Sequence, residues 1–384
     1  MQQPTSARRF PAIDGLRGVL VLLVVFHHVH LRFVLTKLPV AALLPKPVAR
    51  VMFWSGYYAV VMFFVVSGFL ITHHSLRRWQ TLPRMELPAF YWLRFTRIYP
   101  CLLLLLVVLS CLHALRAPGY VIDPQKGSLG RAVLAALAFH VNWLEGTRGY
   151  LPGAWDVLWS LSVEEAFYLV FPLMCWLARR ESVVVCLLLV PIALGPVSRS
   201  LTLGDDPWNE YAYLSCLDAI AFGCLAAWSR KRAARKRVEG AALSGKLGAS
   251  MLALGLGCVL FVLVARETVA DLGLVEKGLH VSVLAFGTAL VLWSAVELHS
   301  SARRSWLQVI GECSYEIYLT HMFVVLAAPG VFKASGASLP WVFAFYVATA
   351  LLSVALGFVV ARYYGAPLAA ALRKRALRTR RAPA

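Results

Sequence analysis

Apolar runs long enough to cross a bilayer recur ten times along the chain, at 13–35, 51–72, 91–112, 157–178, 183–199, 211–228, 247–265, 279–298, 306–328 and 341–361. The hydrocarbon core of a membrane needs about 20 residues of α-helix. Inside it every backbone N–H and C=O must find its partner within the segment, which leaves helices as the natural reading of such runs. An eleventh apolar piece, 129–143, is only fifteen residues long and carries Arg131 and His140. Its length fits an interfacial or re-entrant segment. The pattern therefore predicts an all-α, polytopic membrane bundle of about ten transmembrane helices. Residues 1–12 form an N-terminal segment, 13–361 the membrane domain, and 362–384 a basic tail.

Charge sets the direction of that bundle. With ten spans and the N-terminus in the cytoplasm, 26 of the 38 lysines and arginines fall on the cytoplasmic side. Making 129–143 a span would turn the clusters RKRAARKR (230–237) and RKRALRTRR (373–381) outward, against the positive-inside rule. Both termini are expected in the cytoplasm of a multi-pass cell-membrane protein. Composition agrees: 60% of residues are hydrophobic and 15% charged, too apolar for a soluble domain of 384 residues. The net charge of +19 sits in short clusters between spans, so no nucleic-acid partner is expected. The eight cysteines lie mostly in apolar runs without metal-site or disulfide spacing. No metal site, nucleotide loop, serine-hydrolase elbow or CxxC motif stands out. The first apolar run is too long for a cleaved signal peptide.

Polar residues inside these runs are the candidates for chemistry, because ionisable groups in lipid are costly and face the protein interior. In the first run Arg17 and His28 are eleven residues apart. That is three helical turns plus about 20°, with an axial separation of about 16 Å. Asp14 lies on nearly the same face, whereas His27 is turned away by about 80°. Either Arg17 snorkels and the histidines pack, or His28 is a general base. Arg94 and Arg97, three apart at the entrance of the third run, follow Arg77 and Arg78. Topology alone explains such arginines, and so does a pocket for phosphate oxygens. In WSLSVEEAFYLVFP (159–172) two adjacent carboxylates, Glu164 and Glu165, sit deep in a span. Ser160, Glu164 and Tyr168 share its face. The pair can fix the bundle through an arginine, or can orient a histidine or bind acceptor hydroxyls. Ser67 and Gly68 allow close helix approach or line a narrow acyl path. Ser314, Tyr318 and His321 form a stripe in a later span, with Tyr315 beside it, which suggests either a hydrogen-bond network or a lined cavity.

Five pieces together carry a resemblance: IDGLRGVLVLLVVFHHV, VMFFVVSGFLI, FYWLRFTRIYP, WSLSVEEAFYLVFP and SYEIYLTH, spread in order from residue 13 to 321. The chain resembles the membrane-bound acyltransferase 3 family, which O-acylates surface glycans, nodulation factors and macrolides. The resemblance implies about ten spans and a functional arginine–histidine pair, here Arg17 and His28. It implies arginines at Arg94 and Arg97, a glutamate at Glu164 or Glu165, and positions of less defined role at Tyr315 and His321. Some members carry a fused extracytoplasmic SGNH domain, which is not expected here because the loops and tail of this sequence are too short for one.

On that resemblance the donor is acyl-coenzyme A, acetyl-coenzyme A as the first choice. No permanently bound cofactor is expected. Arg17, Arg94 and Arg97, helped by Arg77 or Arg78, hold the donor. His28, oriented by Glu164 or Glu165, deprotonates the acceptor hydroxyl. The acceptor is a glycan, a lipid-linked sugar or a glycosylated small molecule, and a covalent relay stays open. Two rivals use the same residues differently. A proton-coupled transporter or flippase makes them its path, and a sensor or scaffold makes them packing.

Overall fold

The computed structural model describes residues 10–35, 44–238, 245–295 and 304–379, and each of the ten apolar runs becomes helix there. In chain order the helices are α1 (Pro11–Leu35), α2 (Lys46–Phe53), α3 (Gly56–Trp79), α4 (Leu87–Ala114), α5 (Leu129–Leu137), α6 (Val141–Arg148), α7 (Gly153–Asp156), α8 (Leu158–Ala178) and α9 (Glu181–Leu201). There follow α10 (Trp208–Tyr211), α11 (Tyr213–Val238), α12 (Gly245–Val264), α13 (Arg266–Asp271), α14 (Leu279–Ala295), α15 (Trp306–Glu312), α16 (Ser314–Ala334), α17 (Val342–Val360) and α18 (Ala366–Thr379). Among the described residues there is no strand. Among the described residues nine helical stretches are long and apolar enough to cross a membrane, and Leu279–Ala295 is a shorter apolar helix. The fold is an all-helical, multi-pass membrane bundle. The 129–143 piece falls on two short helices, α5, capped by Ser128, whose Oγ accepts from Arg131 N at 3.2 Å, and the start of α6.

Two of the runs are broken where the pattern reads as continuous. The second starts as α2, stops at Trp54–Ser55 and resumes as α3. Arg266 holds the break, donating to Trp54 O and Ser55 Oγ at 2.9 Å each. The ninth stops at Cys313, so α15 and α16 are separate helices. Both halves of each run stay apolar, and hydropathy passes over the break.

Glycines let backbones meet. A Cβ on Gly18 would stand 2.2 Å from Leu307 O, and one on Gly311 1.8 Å from Asp14 O, so α1 and α15 touch main chain to main chain. Gly68 and Gly223 do the same for α3 and α11, each 2.0 Å from a carbonyl of the other helix. Close approach of this kind gathers dispersion contacts where lipid supplies no hydrophobic drive. The buried ion pair Arg199–Asp218, at 2.7 Å, joins α9 to α11 and is completed by Ser282 of α14 and Gly278 O. With every donor used, the charges are tolerated away from water.

Two buried clusters share the bundle. One gathers α3, α11 and α14, the other α4 to α6, α16 and α17. Helices α1 and α8 contribute to both: Leu20 and Val24 to the first and Val21 and Val25 to the second; Val163 and Leu161 likewise. The seam between the clusters runs along α1 and α8, and the polar residues of the spans collect there.

Candidate active site

The seam opens into a cavity of about 150 Å³, walled by α1, α3, α4, α8 and α16. Its polar lining is Arg17, Ser67, His74, Arg94, Arg97, Ser160, Glu164, Glu165, Tyr168, Ser314, Tyr315 and Tyr318, and phenylalanines 63 and 64 with Val60, Leu161 and Leu319 supply apolar walls. Five helices distant in sequence thus bring most of the sequence-derived candidates to one place.

At the basic end, the start of α1, Arg17 donates to Ser314 Oγ at 2.9 Å and pairs with Asp14 at 3.4 Å. Arg94 lies over the Tyr168 ring, its Cζ 4.2 Å from the centroid. Among the described residues no hydrogen bond or ion pair joins Arg94 or Arg97 to a carboxylate. Arg97 is exposed at the rim. Arg77 and Arg78 do not line the cavity; they are exposed on the last turn of α3, where Arg78 lies against Trp79. Their expected contact with the same site is absent because α3 runs on to Trp79 as helix instead of forming a loop.

Mid-depth, Glu164 Oε1 accepts from Ser67 Oγ at 2.6 Å and from Tyr168 OH at 2.5 Å. Ser67 and Tyr168 also touch each other. The two readings of the Ser67–Gly68 pair are therefore divided between its members, Gly68 packing and Ser67 lining the cavity. Glu165 is buried, and its Oε1 has no hydrogen-bond partner among the described residues. Tyr315 OH donates to Ile98 O at 2.9 Å and ties α16 to α4. Deeper still, Tyr318 OH donates to Val157 O at 3.0 Å and meets Ser160 Oγ at 2.6 Å. These two side chains close the cavity.

His28 lies behind that floor. It does not line the cavity, and neither glutamate touches it. Its neighbour is His321, whose Nε2 is 3.3 Å from His28 Nδ1. His28 Nδ1 is also 2.9 Å from Val24 O, and His321 Nδ1 is 2.7 Å from Tyr318 O. Carbonyls only accept, so in the neutral rings both Nδ1 atoms carry the proton. His321 Nε2 then accepts from His28, and His28 Nε2 keeps a free lone pair. The expectation of a glutamate orienting His28 is replaced by a second histidine, because α8 faces α3 and α4 while α16 faces α1. His27 and His30 serve packing: His27 Nδ1 meets Phe53 O at 2.7 Å, and His30 stacks on Phe53 and meets Tyr346 OH at 3.1 Å.

Residues that the sequence did not single out complete the site. His74 lines the cavity near Arg94 and Arg97. Glu316, turned off the stripe of its helix, lies within electrostatic reach of Arg97 and Arg17. The signal for both was present as polar residues in apolar runs, but nothing in one sequence says which face meets which.

Comparison with known proteins decides the family. Residues 10–358 match the acyltransferase 3 family, described as an acyltransferase domain. The chain belongs to that family. Among its relatives, the O-acetyltransferase OatA of Staphylococcus aureus is 24% identical over 350 residues, covering 85% of this chain and 52% of its own length. The peptidoglycan O-acetyltransferase OatA of Listeria monocytogenes is 30% identical over 174 residues, covering 44% of this chain and 24% of its own. The chain thus spans about half the length of the first of these relatives. No solved structure matches it.

Proposed function

We propose that this acyltransferase 3 member is a membrane O-acyltransferase. It takes an acyl group, acetyl by preference, from acyl-coenzyme A at the basic end, which is cytoplasmic by the charge rule. It passes that group to a hydroxyl of a sugar-containing acceptor reaching His28 from the opposite end. The observation that carries this reading is the order of polar groups along the seam. Guanidinium groups stand at one mouth, Glu164 with Ser67 and Tyr168 lies below them, then Ser160 with Tyr318, then His321 with His28.

Each level has a task. The arginines receive phosphate oxygens. The cavity takes the thioester end of the pantetheine arm, and the Glu165 Oε1, unpartnered among the described residues, offers an acceptor to an amide N–H group of that arm. His28 Nε2 takes the proton of the acceptor hydroxyl as that oxygen attacks the thioester carbon. The C–S bond breaks, and coenzyme A leaves as a thiolate that is protonated in turn. His321 keeps the His28 proton on Nδ1, so the base atom is always Nε2. Tyr318 stands between the cavity and the histidines, and its ring has to yield for thioester and base to meet. The relatives' names point to acetyl as the group and, for one of them, peptidoglycan as the acceptor; here the acceptor is assigned only as a sugar hydroxyl.

The test is thioester consumption by purified protein in nanodiscs. Acetyl-coenzyme A and soluble glycan fragments should release free thiol and acetylate the glycan in equal amounts. Transport of either compound without thiol release would overturn the reading in favour of a carrier.

A further inference from the structure

The last described helix does not trail away from the bundle. Residues Ala361–Gly365 form a π-helical turn that joins α17 to α18. A Cβ on Gly365 would stand 3.0 Å from Cys101 Sγ and 3.2 Å from Glu316 Oε1, so the turn is pressed onto α4 and α16. It aims α18 across the start of α4. There Arg373 Nε donates to Thr96 Oγ1 at 3.3 Å. Thr96 is buried and lies between Arg94 and Arg97 in sequence, and the Arg373 guanidinium is within electrostatic reach of both.

Three guanidinium groups, two from α4 and one from α18, therefore come within electrostatic reach of one another beside the rim. Arg94 is spent on an aromatic face, and only the Nε of Arg373 has a hydrogen-bond partner among the described residues. Like charges at such range repel unless an anion lies between them. The planar forks of Arg97 and Arg373 suit phosphate oxygens. A coenzyme A thioester has its phosphates at one end of a long neutral arm. With the thioester end in the cavity, the arm leads out past the rim arginines, and the phosphates lie on that side.

We infer that α18 is part of the donor site: Arg373, positioned by Thr96, grips the phosphorylated nucleotide end of the donor together with Arg97. This rests on the donor reading above. It adds a residue outside every motif of the resemblance and gives the basic C-terminal helix a task beyond topology.

The full-length protein in phosphatidylcholine nanodiscs tests it with coenzyme A as the probe. By titration calorimetry, Arg373→Ala should weaken coenzyme A binding about tenfold, the size of one lost charged hydrogen bond. The preference for acetyl-coenzyme A over acetyl-pantetheine, which lacks the phosphates, should fall by the same factor. Arg373→Lys should lie between, because it keeps charge but loses the fork. Thr96→Val should follow Arg373→Ala in direction. Arg97→Ala separates the two ideas. If it weakens coenzyme A binding and Arg373→Ala does not, α18 is no part of the site and the donor reading stands. If neither does, the donor reading itself fails. Equal losses with both donors would mean a change of fold, and an effect seen only with anionic lipid present would mean a headgroup ligand. Either result overturns the assignment.

Discussion

His28 differs from His27 in surroundings, not in kind. His27 is wedged against Gly56, where a Cβ would come within 2.2 Å of its ring, and its Nδ1 is given to a carbonyl. His28 has one nitrogen fixed and one free. Replacing His28 by Ala should cut acyl transfer by about 10³-fold, the weight of a positioned general base, with the protein still folded by gel filtration. His27→Ala should retain most activity and lose thermal stability instead. Equal loss of activity in both would remove the distinction. His321→Ala should raise the share of the wrong His28 tautomer and lower kcat with little change in KM. His321→Gln, whose amide oxygen can accept in place of Nε2, should restore part of it. The helical spacing in one sequence was enough to separate His28 from His27 and to align Ser160, Glu164 and Tyr168. It was silent on the pairing of His28 with His321, because a contact across 293 residues leaves no mark on local periodicity.

At two helix pairs, α1 with α15 and α3 with α11, the contact is made main chain to main chain. Gly68→Leu should push α3 off α11 and cost about 1–3 kcal/mol, as overpacking does. It should also displace Ser67 from Glu164, so that activity falls further than stability. Thermal unfolding and turnover of the same preparation check this. On the side away from the basic mouth, α6 carries a second kind of control. Glu145 accepts from Leu151 N at 3.0 Å and lies within electrostatic reach of Asp156. Burial, and then Asp156, holds its carboxyl well above the usual carboxylate range. The fold favours the neutral acid. Its stabilisation is complete below the ordinary value of about 4.3 and is lost as pH rises through the raised folded one. Amide protection at Leu151 should therefore fall as pH rises, and Glu145→Gln should flatten that dependence. The order of the apolar helices was legible from hydropathy, as was the odd character of 129–143; of the ten spans expected, Leu279–Ala295 is shorter than a span among the described residues. The breaks at Trp54 and Cys313 were not, since each is held by groups far away in sequence or by packing.

For the whole molecule, the open question of direction has a direct measurement. In a cysteine-free background, a cysteine at position 84 should react with impermeant maleimide only after the membrane is opened, and one at 125 in intact cells. The reverse pattern would place the arginine mouth outside and separate it from cytosolic donor. The polar seam has a further consequence through its size. A void of about 150 Å³, the scale of one that holds benzene, closed at its floor by Tyr318 and Ser160 and walled by phenylalanines 63 and 64, is a ruler. On the donor reading proposed above it would measure the acyl group from the thioester outward, and Phe63→Ala would let longer acyl groups compete with acetyl. Chain-length selection would then reside in two aromatic rings of α3, apart from the proposed base and arginines. A lineage that exchanged those rings for smaller side chains would change what it attaches without relearning where to attach it.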